Sequence, residues 1–454
     1  MGRAATTVRV VARRVYGKRS GGERFRAVVG TWNWWNQSTT ANAVAGLFFP
    51  RSAALGLEPE HRLSPSMLEK VVYAGVHAAS FQQASQNLSK LAEAEVSTER
   101  VRRETERIGA ERFAQRQLET QAQRELSLPE QRQSPVDQVP QVACVQMDGG
   151  RIQLRKRDAR GKDGAGFWRE TKVGCLLSMV SSVSTIDPCP ELPVTFADPA
   201  RMSKIAREIK GISSEPPASE EADEAVSRDR PGRPQTLVRS VVASCQTVEE
   251  FGPHLAAAAY HRGFAAASRK AFVADGSEAN WGVWRKHFTH YLPILDFTHA
   301  LCYVYGAALA GRSSASGWQT YRDWAQWIWS GQVERVIAAL QQRQHELGEP
   351  SANELATAPR QQVADALRYL RNQRSRMHYD EYRRQGLPIT SSAIESTIKQ
   401  INRRVKGSEK FWSTGADPML ALVADHLSQT PDLAHYWRDR HTHLDGARRY
   451  HTAA

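Results

Sequence analysis

The chain has few cysteines, no long apolar run and no pair of cysteines at metal-ligand spacing. Its five cysteines are odd in number and widely spread over 454 residues, which argues against both a disulfide framework and a zinc ribbon. No apolar run approaches the roughly 20 residues that span a bilayer. No apolar segment follows the arginines near the N-terminus, so we expect no secretory signal and a reducing, intracellular setting.

Positive charge exceeds negative charge in this sequence. Lysine and arginine number 61 and aspartate and glutamate 48, which gives a formal net charge of +13. This excess favours a polyanionic partner, most simply nucleic acid, and the missing apolar runs argue against a membrane. Hydrophobic residues make up 41% and charged residues 24%, the composition of a soluble globular protein with room for two or three domains.

A helical segment follows a short stretch of unclear fold. We treat residues 1–60, with apolar runs broken by basic residues, as a small N-terminal module. Between residues 61 and 125, serines typical of helix caps precede three helical patterns. The third pattern carries arginines that could reach phosphates or guanine edges in a major groove, as in a helix-turn-helix unit: Arg100, Arg103 and Arg107. A solvated, charge-laced helix is an equally good interpretation.

Three short apolar runs each end in an aspartate: Asp148, Asp275 and Asp296. We expect each run to be a β-strand, since short apolar runs bounded by turn residues are typical of buried strands. The pair Gly149-Gly150 predicts a tight turn after the first run, with a second strand behind it. Helical patterns then fill residues 301–385.

The segment after Pro388 predicts an amphipathic helix. Its apolar residues recur at the spacing of one buried face: Ile394, Ile398, Ile401 and Val405. Glu395 lies on the first turn, and Ser392-x-x-Glu395 matches the capping box, which is a purely structural interpretation. The basic residues that follow are predicted phosphate contacts, with a solvated helix face as the alternative: Lys399, Arg403, Arg404 and Lys406.

Asp148, Asp275 and Glu395 form a candidate metal site that only the fold could assemble. Each Asp-Gly pair taken alone is an ordinary turn. Together, two carboxylates at strand ends and one at the head of a helix offer the oxygen ligands that Mg²⁺ prefers. Two such ions, roughly 3.5–4 Å apart, can activate the attacking oxygen and stabilise the leaving oxygen in phosphodiester chemistry.

Four runs of the sequence resemble insertion-sequence transposases of the DDE class, most closely the ISKra-type group and its mutator-like relatives. The runs are VQMDGGRIQLR, FVADGSEANW, LPILDFTHALCYV and PITSSAIESTIKQINRRVKGSEKFWSTGADPML. By this resemblance Asp148 and Asp275 are the catalytic aspartates and Glu395 the catalytic glutamate. Asp296-x-x-His299 resembles a signature that follows the second aspartate in this group and would support the site.

The resemblance implies a fold, cofactors and partners. An α/β, RNase H-like catalytic domain would comprise residues 141–300 and 386–430, with a helical insertion at 301–385 and a tail at 431–454. Two divalent ions, Mg²⁺ or Mn²⁺, would serve strand cleavage and strand transfer on double-stranded DNA. The protein would act as a homo-oligomer on DNA, in the bacterial cytoplasm beside the nucleoid.

One departure and two rival functions accompany this resemblance. Members of the group often carry cysteine pairs near the N-terminus, whereas this chain has no cysteine before Cys144. A DNA-binding regulator derived from a transposase could keep the helices without catalysis. An RNase H-like nuclease or resolvase could cut DNA without joining it.

Overall fold

The computed structural model describes residues 63–157, 163–212, 232–407 and 409–443. The positions of the Cα atoms divide the chain into two compact units. The central unit comprises Gln115–Ile152 and Trp168–Gln400. The terminal unit comprises the described residues before and after these two ranges and the residues between them. The module predicted for residues 1–60 lies outside the described residues.

A mixed β-sheet organises the central unit, with its main strands in the order β3-β2-β1-β4-β5. These strands are β1 Val142–Arg157, β2 Asp163–Val180, β3 Gln235–Ser244, β4 Arg269–Ala274 and β5 Leu292–Leu295. Strand β4 is parallel to both β1 and β5, whereas β2 and β3 are antiparallel. Only residues 158–162 connect β1 to its neighbour β2, too few for a parallel crossover, so this pair is antiparallel as well. The protein is therefore α/β, as predicted.

Strand β1 continues through Gly149 and Gly150, so the predicted tight turn at this pair is wrong. A two-residue hairpin turn needs glycines with positive φ, and neither glycine has one. The strand continues because the residues before the two glycines and the residues after them both pair with other strands. Its first half pairs with β4, and its second half pairs with a short strand, β6 Phe411–Trp412.

Ten helices lie wholly within the described part of the central unit. They are α4 Leu128–Gln131, α5 Val194–Ala197, α6 Pro199–Lys210, α7 Val248–His261, α8 Glu278–His287, α9 Phe297–Leu309, α10 Ser314–Trp329, α11 Val333–Leu347, α12 Pro359–Gln373 and α13 Tyr379–Arg384. Helix α9 is apolar on nearly all sides because it packs against α6, α10 and α12. The helices after β5 agree with the helical pattern predicted for residues 301–385.

The terminal unit is mainly helical in its described part. Its helices are α1 Pro65–His77, α2 Phe81–Leu91, most of α3 Thr98–Glu125, the end of α14 Ser392–Val405, α15 Ala416–Leu427 and α16 Asp432–His443. Helices α2, α15 and α16 all contact α1. The predicted caps are confirmed, since the hydroxyls of Ser64 and Ser80 accept hydrogen bonds from backbone N–H groups of the first turns. The third helix is 28 residues long, so it is not one of three short helices as predicted.

Candidate metal centre

Three aspartates lie on or directly after three adjacent parallel strands: Asp148 on β1, Asp275 after β4 and Asp296 after β5. Strand β1 pairs with β4 in a constant register that ends at Gln146 beside Val273, and two residues further this register sets Asp148 beside Asp275. Strand β4 pairs with β5 so that Ala274 lies beside Leu295, and Asp275 and Asp296 are the next residues of the two segments. Because residues at the same level of a parallel sheet share a face, the register gathers three carboxylates.

The turn after β4 holds the Asp275 carboxylate in one orientation. Its Oδ1 accepts a hydrogen bond from the backbone N–H of Ser277 at 2.9 Å and another from the Asn280 side chain at 2.8 Å. The same Asn280 amide donates to the carbonyl of Met147 at 3.2 Å and so ties the turn to β1. Gly276 has φ 95, a conformation that favours glycine, so the Asp-Gly pair is needed here for the turn as well as for the carboxylate.

Asp296 is fully buried, and both of its carboxylate oxygens have partners. It caps α9, with Oδ1 accepting from the backbone N–H of His299 at 2.7 Å and contacting His299 Nδ1 at 3.1 Å. Its Oδ2 accepts from the backbone N–H of Ser391. Asp148, Asp275 and Glu395 are only half-buried, so they remain accessible to an ion or a substrate. Asp296 therefore links β5 to the segment that begins α14 and fixes His299.

Glu395 lies on the first turn of α14, one residue away from the predicted capping arrangement. The helix begins at Ser392, and the carbonyl of Ser391 accepts from the N–H of Glu395 at 3.2 Å. Ser391 is thus the cap, and its hydroxyl contacts Glu395 Oε1 at 3.5 Å. The capping box proposed for Ser392 and Glu395 is wrong, because Ser392 is already the first residue of the helix. The predicted apolar face is confirmed at Ile394, Ile401 and Val405, which are buried, whereas Ile398 is partly exposed.

Gln146 connects the aspartate row to the glutamate helix and was missed by the sequence analysis. Its side-chain N–H donates to the carbonyl of Thr390 at 3.0 Å, and its Oε1 accepts from the N–H of Ile394 at 3.1 Å. The side chain is 2% exposed. One amide thus satisfies both a donor and an acceptor at the start of α14, a helix end that would otherwise carry unpaired groups. The signal in the sequence was a polar residue two positions before Asp148, within an otherwise apolar run.

The charges of this cluster are strongly coupled. Burial, together with the negative charge of Asp275, raises the pKa of Asp148 to about 6. Burial and the charge of Asp296 also raise the pKa of Glu395 above its ordinary value. Because the pKa values of Asp148 and Glu395 are raised, a bound cation would stabilise the ionised forms of these two carboxyl groups.

His299 supplies positive charge within the cluster. Burial alone would lower the pKa of this imidazole, but the hydrogen bond to Asp296 and the surrounding carboxylates raise it to about 9. In return, although burial opposes it, contact with His299 holds the pKa of Asp296 below its ordinary value. In this charge state the imidazole acts as a hydrogen-bond donor. This supports the interpretation of His299 as an orienting group.

Within the described part of the chain, one group of side chains could hold a metal ion by the mutual approach of its ligand atoms. The ligand atoms of Asp296, His299 and Glu395 all lie within 4.8 Å of one another. Asp148 and Asp275 are outside this group, so the three predicted acids do not form an equally tight set. They are nonetheless neighbours, because the charges of Asp275 and Glu395 both act on Asp148.

Arg404 is not available for the phosphate contact predicted from the sequence. It is 6% exposed, and its Nε donates to the carbonyl of Gly75 at 2.9 Å. Its guanidinium group lies 4.5 Å from the ring centroid of Phe81 and 5.3 Å from that of Trp412. Burial lowers its pKa to about 10. Arg404 stabilises the terminal unit, and its assignment is corrected accordingly.

The other predicted cations differ in how much of their charge is already paired. Lys399, Arg403 and Lys406 are exposed, and Lys399 contacts Glu208 at 3.5 Å. On α3, the guanidinium of Arg107 contacts Glu104 at 3.1 Å and Glu111 at 2.7 Å. Two further arginines of α3 are partly or fully exposed: Arg100 and Arg103. The helix therefore has paired charges, as expected of a charge-laced helix, and exposed arginines, as expected of a DNA-binding helix.

No protein-family model matches the chain, and no curated protein matches it either. Among the described helices, none combines the length and the apolarity needed to cross a membrane.

Proposed function

We propose that this protein is a DDE transposase that cleaves DNA at the ends of an insertion sequence and joins them to a target. The observation that carries the proposal is the group of Asp148 on β1, Asp275 directly after β4 and Asp296 directly after β5, with Glu395 on a helix whose start is bound to Gln146 and Asp296. Carboxylates are rarely buried together without a cation, because each raises the pKa of the next. Such a cluster therefore indicates a site for divalent ions and polyanionic substrate.

The fold supports this proposal. The mixed sheet, with β1, β4 and β5 parallel and β2 antiparallel to β3, is compatible with the α/β, RNase H-like domain that the resemblance implies. The helices between β5 and α14 fall where the resemblance expects an insertion. Both features follow from hydrogen-bond pairing, which is independent of the motifs from which the resemblance was drawn.

The acids offer the oxygen ligands that the divalent ions implied by the resemblance require. Asp148, Asp275 and Glu395 would hold Mg²⁺ or Mn²⁺, which when bound activates an attacking oxygen and neutralises charge at the phosphate. Asp275 is suited to this role because both of its hydrogen bonds fall on Oδ1, and no described group donates to Oδ2. Among the described residues, Asp148 likewise accepts only through Oδ1, from the N–H of Gly149 at 2.6 Å.

The remaining residues of the site position these acids. Asn280 and the turn at Gly276 hold Asp275, and Gln146 together with Asp296 holds the start of α14 and therefore Glu395. His299 offsets part of the negative charge and fixes the orientation of Asp296. Preorganisation of this kind is what lets fixed charges stabilise a developing phosphate charge without rearrangement. The exposed cations beyond Glu395 would contact the DNA backbone: Lys399, Arg403 and Lys406.

The experiment uses the full chain with labelled DNA that flanks its coding sequence on both sides. With Mg²⁺, the wild type is expected to nick these ends and to join the freed 3′ ends to a plasmid. Asp148→Asn, Asp275→Asn and Glu395→Gln are expected to bind the same DNA without cutting it. Binding by the wild type without cutting would favour a regulator, and cutting without joining would favour a nuclease or resolvase. Either result would contradict the proposal.

A further inference from the structure

Helix α6 presents a stripe of positive charge that the sequence analysis did not identify. Asp198 caps its first turn by accepting from the N–H of Arg201 at 2.6 Å, and Gly211 ends the helix with φ 66. Met202 and Ala206 are buried on one side, where the helix packs against α9. The opposite side exposes a row of cations: Arg201, Lys204 and Arg207.

The stripe continues onto α14 close to the acids. Glu208 of α6 contacts Lys399 of α14 at 3.5 Å, with 52% and 69% of the two side chains exposed. Lys399 lies one helical turn after Glu395, so the cations begin beside a catalytic candidate. An exposed pair of this kind contributes little to stability and leaves Lys399 available to another anion.

Lys210, also on α6, differs from these cations because it contacts an aromatic ring of the protein. The ammonium of Lys210 lies 3.7 Å from the ring centroid of Tyr303, and this ring stacks on Tyr369 at 3.7 Å. The hydroxyl of Tyr369 donates to the carbonyl of Asp275 at 2.6 Å. Lys210 therefore helps to anchor α6 near the acids. No such contact within the described residues engages the three cations of the exposed stripe.

We propose that Arg201, Lys204, Arg207 and Lys399 form a surface, the α6–α14 basic surface, that binds the phosphate backbone of duplex DNA as it leaves the acid cluster. Steps of three residues along α6 advance about 4.5 Å each, so neighbouring cations can meet successive phosphates of one strand. The inference rests on the proposed function, because it takes the DNA held at the acids as the same molecule. It names no base contact, so binding at this surface is independent of sequence.

The test measures binding of the full chain to a labelled duplex of arbitrary sequence, in EDTA, over a series of salt concentrations. The triple variant Arg201→Gln, Lys204→Gln and Arg207→Gln is expected to weaken binding and to reduce the slope of log K against log salt by roughly 2 to 3, at about 0.9 per phosphate contact. The conservative pair Arg201→Lys and Arg207→Lys is expected to keep the wild-type slope, since a lysine still neutralises a phosphate.

A matched control removes the same charge elsewhere on the central unit. Arg322, Arg335 and Arg371 are exposed on α10, α11 and α12, and their triple change to Gln is expected to leave the slope unchanged. Equal slopes for the two triple variants would overturn the surface, as would a slope difference seen with duplex RNA but not with DNA. If the α6 triple variant proves unfolded by circular dichroism, Lys204→Gln alone decides, with an expected loss of about 0.9.

The binding test and the cleavage test fail separately. A wild type that neither cuts nor joins DNA, but whose slope depends on α6, would remove the proposed catalysis and leave the surface intact. Cutting and joining with equal slopes would remove the surface and leave the catalysis intact.

Discussion

The acid cluster of the central unit and the arginines of α3 differ in how far their charges are balanced by neighbours of opposite sign. Asp148, Asp275 and Glu395 are like charges that lie near one another with few cations among the described residues around them. The pKa values of Asp148 and Glu395 are raised. On α3, Arg102 contacts Glu99 and Glu106, and Arg107 contacts Glu104 and Glu111. Charges that are balanced within one helix support that helix. Charges that the fold gathers without balancing them are the better indicator of a binding or catalytic site.

The largest expected effect comes from removing a charge of the cluster. Asp148→Asn should lower DNA cleavage by roughly a thousandfold or more, since loss of a metal ligand costs several kcal/mol of transition-state stabilisation. Single-turnover cleavage of labelled end DNA measures this change. A cleavage rate within tenfold of the wild type would contradict the assignment.

The same variant should become more stable when no metal is present. The pKa of Asp148 is raised in the folded state, so its ionisation destabilises the fold as pH rises through about 4 toward 6. Removing the charge should therefore raise the free energy of unfolding at pH 7 by on the order of 2 kcal/mol. Urea unfolding in EDTA measures the gain, and lost activity with gained stability excludes misfolding as the cause.

The next effect concerns Gln146, which acts through Glu395. Gln146→Met keeps the volume but removes both hydrogen bonds to the start of α14, so we expect cleavage to fall roughly 10- to 100-fold, as for other positioning partners of metal ligands. The Mn²⁺ concentration needed for half-maximal cleavage should rise with it. Hydrogen exchange should quicken at the N–H of Ile394 but not in the last turn of α14.

Gln146→Glu provides the companion variant, because it keeps the acceptor for Ile394 and loses the donor to Thr390. Intermediate exchange at Ile394 is expected. Wild-type cleavage and exchange in Gln146→Met would show that the amide does not position Glu395.

A smaller effect is expected when low pH adds a proton to the pair of His77 and His426 in the terminal unit. His426 Nδ1 lies 3.2 Å from His77 Nε2, and burial, with a further contribution from His77, lowers the pKa of His426 to about 4. The folded state therefore binds this proton less readily than the unfolded chain does. Stability should be complete above about pH 6.5 and should fall toward pH 4 by on the order of 2 kcal/mol.

His426→Gln is the variant that tests this pair. It should flatten the decline in the free energy of unfolding between pH 6.5 and 4 while changing little at pH 8. An unchanged pH profile in the variant would assign the acid sensitivity of the terminal unit to other groups.

The smallest expected effect compares two arginines of one helix. Arg103 has 59% of its side chain exposed, whereas Arg107 has 21% exposed and two glutamate partners. If α3 contacts DNA, Arg103→Gln should reduce the salt slope of binding by about 0.9 and Arg107→Gln by less. Equal slopes for both variants and the wild type would favour the interpretation of α3 as a charge-laced helix.

The sequence predicted most elements that carry the acids, because short apolar runs, caps and helical spacing are local signals. Strands β4 and β5 and helices α1, α2, α9 and α14 all follow from such signals. The level of Asp148, Asp275 and Asp296 across the sheet could not be predicted, since strand register is set by pairing between distant segments. Neither could the burial of Arg404, which depends on Phe81 and Trp412.

Strand β3 and helix α6 were missed for a related reason. Helix α6 is short, and four of its twelve residues are basic, so its buried stripe of Met202 and Ala206 is weak in the sequence. Strand β1 was divided at Gly149-Gly150 because glycine pairs usually mark turns. There the second half of the strand is extended by pairing with β6, which lies more than two hundred residues away in the chain.

The binding of Mn²⁺ to the wild type and to Asp148→Asn, followed by electron paramagnetic resonance, tests the central claim most directly. If the unbalanced acids exist to hold divalent ions, the wild type should bind Mn²⁺ and the variant should lose at least one bound ion or at least tenfold in affinity. Arg107→Gln, a change in the balanced region, should bind Mn²⁺ as the wild type does. Equal binding by the wild type and Asp148→Asn would contradict the account.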